Sequence, residues 1–481
     1  MALISKSRFL EYLVCPKDGW FRLHRPGMEE FKVDFATGEM MEQGNIVEGY
    51  ATKLKIFSGP NVKYQETFTA DGFIIRCDFL VFNTENDKYD LYEVKATNSL
   101  KDKDRPHDHI SDLAFQTIVL EKSGVEVGNK YVVHLNSEYV RGEELDIEKL
   151  FVVEDVTDQV AAKKEITADK MEKAKEYLNQ EEEPEDGCRC HFFGRSRHCK
   201  TFRHSHPEIP EYSVHDLSRI GLSPNILTAL VKKKTYLLHE IDDTSDLTPT
   251  QQNQIHTHKT NETIIDVKEI AKILDGYTYP LYFFDYETFA PAVPIYKGYK
   301  PYEKIPIQFS LHVIDKKGGE LRHLEYLHQE NSDPSETVAK KLEEYIDPAG
   351  TVIAWNDKFE KGVTKEIGDR LPQYASVLTR ICGQMQDLMD IFSKQHYVHK
   401  DFRGKASIEK VMNVLLPEMS YDDMPYTGNA VGYVWWQDIV NQGKDPAERA
   451  KKLQLLLAYC KQDTFVMVEI FRILNETINK K

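Results

Sequence analysis

The stretch Leu281-Tyr282-Phe283-Phe284-Asp285-Tyr286-Glu287-Thr288-Phe289 decides how the rest of this 481-residue chain is read. Its first four residues are apolar and aromatic, which predicts a buried β-strand. Two acids follow, Asp285 and Glu287, with one residue between them. On a strand, positions i and i+2 point to one face, so both carboxylates emerge side by side. Two like charges this close are costly unless something neutralises them, and a divalent cation is the usual answer. The plain alternative is an edge strand with a solvated polar face. Only these two positions in the stretch are charged, which weighs against that alternative.

The C-terminal end supplies a matching pattern. Leu453 to Leu457 leads into Tyr459-Cys460-Lys461-Gln462-Asp463, and the apolar spacing predicts a helix. Tyr459 and Asp463 are four residues apart and share a helix face. Between the two motifs lies Thr351-Val352-Ile353-Ala354-Trp355-Asn356-Asp357-Lys358-Phe359-Glu360, a strand followed by N-x-x-F. A strand D-x-E, a middle N-x-x-F segment and a late helical Y-x-x-x-D together resemble the DnaQ-like, or DEDD, exonucleases of the RNase H-like fold. The resemblance implies metal ligands at Asp285, Glu287, Glu360 and Asp463. Glu360 stands where that family has Asp, which keeps the charge but lengthens the arm by one methylene. Asp357, Asp387 and Glu409 are further acids in the same interval. In such a site, acidic ligands hold two Mg²⁺ or Mn²⁺ ions roughly 3.5–4 Å apart, one activating water and the other stabilising the leaving 3′ oxygen. Tyr459 resembles the family's tyrosine that orients the attacking water; its plain reading is a packed helix tyrosine.

Composition bounds the possibilities. The length predicts two or three domains. Hydrophobic residues make up 41% and charged residues 29%, ordinary for a globular chain. A net charge of −16 argues against a generic basic coat for nucleic acid. It does not exclude a nuclease, whose acids and metals act locally. No run of 18 apolar residues exists, so no membrane partner is expected. The opening MALISKSRFLEYLVCP lacks a long apolar h-region and reads as an amphipathic helix. The cytoplasm is therefore the expected compartment.

The seven cysteines suggest ligands or buried thiols rather than disulfides in that compartment. Cys77, Cys382 and Cys460 are scattered and read as packing residues. Cys15 stands near the start, and Cys188, Cys190 and Cys199 cluster near residue 200. One early cysteine and three late ones, bracketing a unit of this size, resemble the iron–sulfur nucleases of the RecB-like group. That resemblance implies a [4Fe–4S] cluster held by the four thiolates. The late spacing here is one residue and then eight, unlike that group's, and His191, His198, His204 and His206 crowd the region. Zn²⁺ is therefore the alternative occupant.

Between those cysteines lies a second catalytic pattern. Asp71-Gly72 predicts a turn, Phe73 to Phe82 a strand carrying Asp78, and Leu91-Tyr92-Glu93-Val94-Lys95-Ala96 the next strand. Glu93 and Lys95 are two apart, on one face. An acid from one strand and E-x-K from the next resemble the PD-(D/E)XK nuclease core. The resemblance implies that Asp78 and Glu93 bind metal and that Lys95 positions water or offsets phosphate charge. Gln43-Gly44-Asn45-Ile46-Val47-Glu48 matches the RecB-like helix motif, making Glu48 a further ligand candidate. Asp112-Leu113-Ala114-Phe115-Gln116 resembles that group's glutamine-bearing helix, with Gln116 in the catalytic position. Each singly reads as a solvated helix residue; the ordered set makes the resemblance.

The expected organisation is α/β: a PD-(D/E)XK unit over residues 1–205, a helical linker over 206–275 and an RNase H-like unit over 276–481. Glu181 to Asp186 reads as a solvated acidic linker. The segment from Val214 to Ile241 reads as a helical connector or a helix-hairpin-helix module, and 242–262 as a polar loop. This order resembles a bacterial protein family with the same fusion. It implies a two-headed, metal-dependent nuclease acting on DNA, single-stranded or with free ends, in repair or in defence against foreign DNA. RNA processing, or a nucleic-acid-binding scaffold with one inactive domain, are the alternatives.

Overall fold

Helices begin where the sequence places capping side chains. Ser5 accepts from the Arg8 N–H ahead of Lys6–Val14, Asp34 from Thr37 ahead of Phe35–Ala51, and Asp108 from Ser111 ahead of His109–Lys122. The computed structural model describes residues 2–100, 108–441 and 445–480. It is a mixed α/β chain whose contacts separate two units. The first comprises Met1–Glu211, Ser223–Val231 and Pro291–Glu303, and the second Tyr212–Leu222, Lys232–Ala290 and Lys304–Lys481. The stretch expected as a linker is thus shared between them.

In the first unit a five-stranded sheet runs in the order Val62–Tyr64, Phe79–Asn83, Lys88–Lys95, Val127–Leu135, Phe151–Asp155. Lys88–Lys95 and Val127–Leu135 are parallel, joined through the His109–Lys122 helix; the other pairs are antiparallel. Helices cover one face, where Phe9 stacks on Phe115 at 4.7 Å among Phe73, Leu91 and Val132. The strand expected from Phe73 to Phe82 is broken. Phe73–Arg76 belongs to a separate three-stranded sheet, and Phe79–Asn83 to the large one. Cys77 and Asp78 form the crossing, and the Asp78 carboxylate accepts the Val94 N–H at 2.8 Å. The segment 291–303 also belongs here, with the Ala292 N–H on Gln43 and the Tyr302 hydroxyl on the Ala96 carbonyl.

In the second unit the sheet order is Leu321–Leu327, Ile305–Ile314, Leu281–Phe289, Thr351–Ala354, Met385–Asp387. The first three strands form an antiparallel meander; the last two add in parallel. The D-x-E strand is therefore central. The crevice beyond the carboxyl end of such a strand is the usual ligand position in open α/β sheets. The helix Pro446–Asn479 crosses this sheet. Asp445 caps it, Pro446 starts it, and Leu456, Cys460, Asp463, Thr464, Met467, Phe471 and Leu474 form its buried stripe.

Two linker expectations are corrected. Residues 249–260 are helical, not loop: Thr248 and Gln251 form a capping box around Pro249, and Asn261 ends the helix in the left-handed region at φ 59°. The acidic stretch 181–186 is not wholly solvated, because Glu183 pairs with Lys17 at 3.4 Å and Arg25 at 3.3 Å. No helix among the described residues is long and apolar enough to cross a membrane.

Candidate metal centres

Three elements of the second unit bring four acids together. Asp285 and Glu287 stand on the central strand. Glu360 lies in the first turn of Lys358–Arg370, to which the chain turns through Asn356, left-handed at φ 69°. Asp463 faces inward from the long C-terminal helix. Glu287 and Asp463 are 8% exposed and Glu360 is 2% exposed. Among the described residues, no lysine or arginine forms an ion pair with any of the four. Burial, then the charges of Asp463, Glu287 and Glu360, push Asp285 well above the ordinary carboxylate range. Burial and the charges of Asp463 and Glu360 do the same to Glu287. Burial raises Glu360 to about 8 and Asp463 to about 7. Glu360 Oε2 is buried without a hydrogen-bond partner. Four grouped carboxylates, three of them buried and Asp285 half-buried, with an unmet oxygen and no lysine or arginine partner among the described residues fit a divalent cation with hard oxygen preference, as Mg²⁺ and Mn²⁺ have.

The supporting residues are less regular. The Tyr421 hydroxyl donates to Asp463 Oδ1. The Tyr459 hydroxyl accepts the Gly428 N–H at 3.2 Å, and the two tyrosine rings are 5.8 Å apart. Asp387 accepts the N–H groups of Asn356 and Met389 at 2.9 Å each, which fixes the turn ahead of Glu360. Asp357 pairs with Lys361, and Glu409 is exposed on another helix. Cys460, expected as a packing residue, is fully buried, and its donor atom also lies within 4.8 Å of those of Asp285 and Glu287. Tyr421 gave no sequence signal. Cys460 did, because it lies three residues before Asp463 and so shares its helix face.

The first unit gathers a different set. Glu93, on the Lys88–Lys95 strand, takes Lys6 Nζ at 2.5 Å and Lys95 Nζ at 2.7 Å on one oxygen, and Gln116 Nε2 at 2.6 Å on the other. Lys95 also reaches Asp112 at 2.5 Å. Burial opposes the charge on Glu93, but Lys6 and Lys95 outweigh it and hold the carboxyl well below its usual range. Burial likewise works against Lys95, and Asp112 and Glu93 raise it instead. Asp78 is raised to about 8 by burial and by Glu93. Gln116 Oε1 and Asp112 Oδ1 are buried without partners. The structure thus unites Asp78, Glu93, Lys95 and Gln116. Glu48 is half-buried and bonded to Gln65 Nε2 at 2.7 Å. Lys6 and Asp112 were not foreseen as site residues; Asp112 shares a helix face with Gln116, whereas Lys6 reads like any surface lysine.

The four cysteines do converge, and could hold a metal ion. Cys15, Cys188, Cys190 and Cys199 have all sulfurs within 4.8 Å of one another. Cys188 and Cys199 are 3.7 Å apart, too far for a disulfide. Around them Trp20 Nε1 donates to the Gln180 carbonyl, and Asp18 accepts the Thr201 N–H and hydroxyl. These bonds seat the start of the chain against the segment after residue 178. His191 and His206 bond to the Cys188 carbonyl, His198 to the Phe193 carbonyl and His204 to Glu183. Among the described residues the group of mutually close donor atoms holds the four sulfurs and no histidine nitrogen, although His206 interacts with the Cys188 thiol.

A family profile described as a domain of unknown function, DUF2779, matches residues 282–407. That span includes Asp285, Glu287 and Glu360 and ends before Asp463. No curated protein matches the chain.

Proposed function

We propose that the chain is a metal-dependent nuclease whose second unit removes nucleotides from 3′ ends of DNA. One observation carries the reading: four grouped carboxylates from three elements, Glu287, Glu360 and Asp463 buried and Asp285 half-buried beside them, with no cationic partner among the described residues. Mg²⁺ or Mn²⁺ would supply the activated water and the charge that stabilises the leaving oxygen. Asp285, Glu287, Glu360 and Asp463 would hold it. Tyr421 sets the orientation of Asp463. Tyr459 receives an N–H from Gly428, which leaves its own proton available to orient water. The DnaQ-like motifs and the central place of the D-x-E strand support an RNase H-like fold for this unit.

For the first unit, the RecB-like motifs support DNA cleavage through Glu48, Asp78, Glu93 and Lys95, with Gln116 orienting Glu93. A second reading, binding of nucleic acid without cleavage, is favoured by the two lysines on Glu93. That carboxylate is neutralised without a metal. Of the two occupants open for the four cysteines, the spacing favours Zn²⁺. Bonds of about 2.3 Å in a tetrahedron bring sulfurs to about 3.8 Å of one another, whereas a four-iron cluster spreads its thiolates more widely.

Cleavage of 5′- and 3′-labelled single-stranded DNA and RNA with Mg²⁺ or Mn²⁺ tests the whole reading. Stepwise 3′ trimming of DNA, abolished in Asp285→Ala, is expected. Loss of a separate product pattern in Lys95→Ala assigns cleavage to the first unit, and its absence assigns binding alone. Products that neither substitution changes would refute both sites, and faster trimming of RNA would refute the DNA preference.

A further inference from the structure

Cys460 has no role in the two-metal chemistry, yet it is fully buried against the acids. Its Sγ lies 3.5 Å from Asp285 Oδ2 and 3.8 Å from the Asp285 carbonyl. Its donor atom and those of Asp285 and Glu287 lie mutually within 4.8 Å. Glu287, though 8% exposed, has no hydrogen-bond partner among the described residues. Beside it on the sheet, Gln308 pairs in register with Glu287 and carries a buried Oε1 that also has no partner. The unmet Glu287 carboxylate therefore lies beside the thiol, next to a strand neighbour with an unmet oxygen of its own.

Bond lengths distinguish the ions. A tetrahedral Zn²⁺, with sulfur at about 2.3 Å and oxygen at about 2.1 Å, sets sulfur and oxygen about 3.6 Å apart. The 3.5 Å between Cys460 and Asp285 agrees. Mg²⁺ takes oxygen ligands in an octahedron and gains nothing from a thiol. Thiolate ligands favour soft and borderline ions, and affinity for divalent ions rises from Mn²⁺ towards the end of the series. We infer that Cys460 joins Asp285 and Glu287 as ligands of one thiophilic divalent ion, Zn²⁺ in preference to Mg²⁺ or Mn²⁺, a role that rests on the metal-centre reading given above. On binding, the S–H bond is lost, a metal–sulfur bond forms and the proton leaves to solvent. No electron transfer is involved. The ion that enters this way displaces the oxygen-preferring ion from the position beside Asp285, so that Zn²⁺ blocks the centre that Mn²⁺ activates.

The test uses the full chain and reads binding rather than activity. Wild type, Cys460→Ser and Cys460→Ala are titrated with Cd²⁺ while the ultraviolet thiolate-to-metal band is recorded. The four-cysteine site contributes equally to all three proteins. Mn²⁺ binding is followed in parallel by electron paramagnetic resonance, with Zn²⁺ added as competitor. Wild type is expected to show a band component that both variants lack. The ratio of Zn²⁺ to Mn²⁺ affinity is expected to fall at least about tenfold in both. An identical band or an unchanged ratio in folded variants overturns the role of Cys460. Mn²⁺ binding in wild type with no Cys460-dependent band overturns that role alone. Absence of both Mn²⁺ and Cd²⁺ binding at the cluster overturns the metal-centre reading with it.

Discussion

Asp285 carries a heavy electrostatic load. Burial and three neighbouring carboxylates all oppose its charge, and without a cation they make its ionised form unfavourable. Asp285→Asn keeps the shape and removes one of the repelling charges. Cleavage is expected to fall at least about a hundredfold, because a metal ligand is lost. In chelator, by contrast, the melting temperature is expected to rise by about 2–4 °C, as about 1 kcal/mol does for a unit of this size. Rate assays and thermal melts on the same preparation check both signs. Tyr421 acts one step further out. Its hydroxyl holds one oxygen of Asp463, so Tyr421→Phe frees that carboxylate to rotate. Mn²⁺ affinity is expected to drop about tenfold, measured by titration, with little change in melting temperature. Residues whose spacing is local were legible in the sequence: Asp285 with Glu287, Glu93 with Lys95, Tyr459 with Asp463. Lys6 and Tyr421 were not. They reach the acids from elements 87 and 42 residues away, and nothing in their own neighbourhoods marks them.

At the scale of elements, the strands and long helices followed the hydrophobic pattern, and the departures have local causes. Phe73 to Phe82 reads as one strand because it is apolar, aromatic and β-branched apart from Arg76 and Asp78. The chain nevertheless changes sheets at Cys77–Asp78, where the Asp78 carboxylate, not a strand partner, receives the Val94 N–H. That break lets an acid leave the strand ladder and meet Glu93. The Thr- and Gln-rich stretch after residue 248 looked like loop by composition, and a capping box made it helix. The cysteine centre is a distant pairing of elements, where the loop at Cys15 meets the segment from Cys188 to Cys199. A metal there closes a loop of more than 170 residues, and its loss frees both ends of the first unit. Cys188→Ser is therefore expected to lose the bound metal and about 2–5 kcal/mol of stability in the first unit, by analogy with removal of a comparable cross-link. Elemental analysis and urea melts check it, and full metal content in the variant would refute the ligand set.

Over the whole molecule, the two acid clusters settle their charges in opposite ways. The first unit places Lys6 and Lys95 on Glu93, whereas no lysine or arginine pairs with the acids of the second among the described residues. A net charge of −16 adds to the cost of concentrating acids and to the attraction for divalent ions. The pH dependence follows from the raised acids. Glu360 near 8 and Asp463 near 7 bind more protons folded than unfolded between about pH 4 and pH 8. The contribution of these two groups to the metal-free protein's stability is thus fully present below the unfolded values and is lost as pH rises through the folded ones. Thermal melts in chelator should show this fall from pH 5 to pH 8, and Mn²⁺ should remove it. The most direct measurement is anomalous diffraction from crystals soaked in Mn²⁺. Two peaks about 3.5–4 Å apart among Asp285, Glu287, Glu360 and Asp463 are expected. A well-ordered cluster with no anomalous peak at saturating Mn²⁺ would contradict the metal-dependent nuclease.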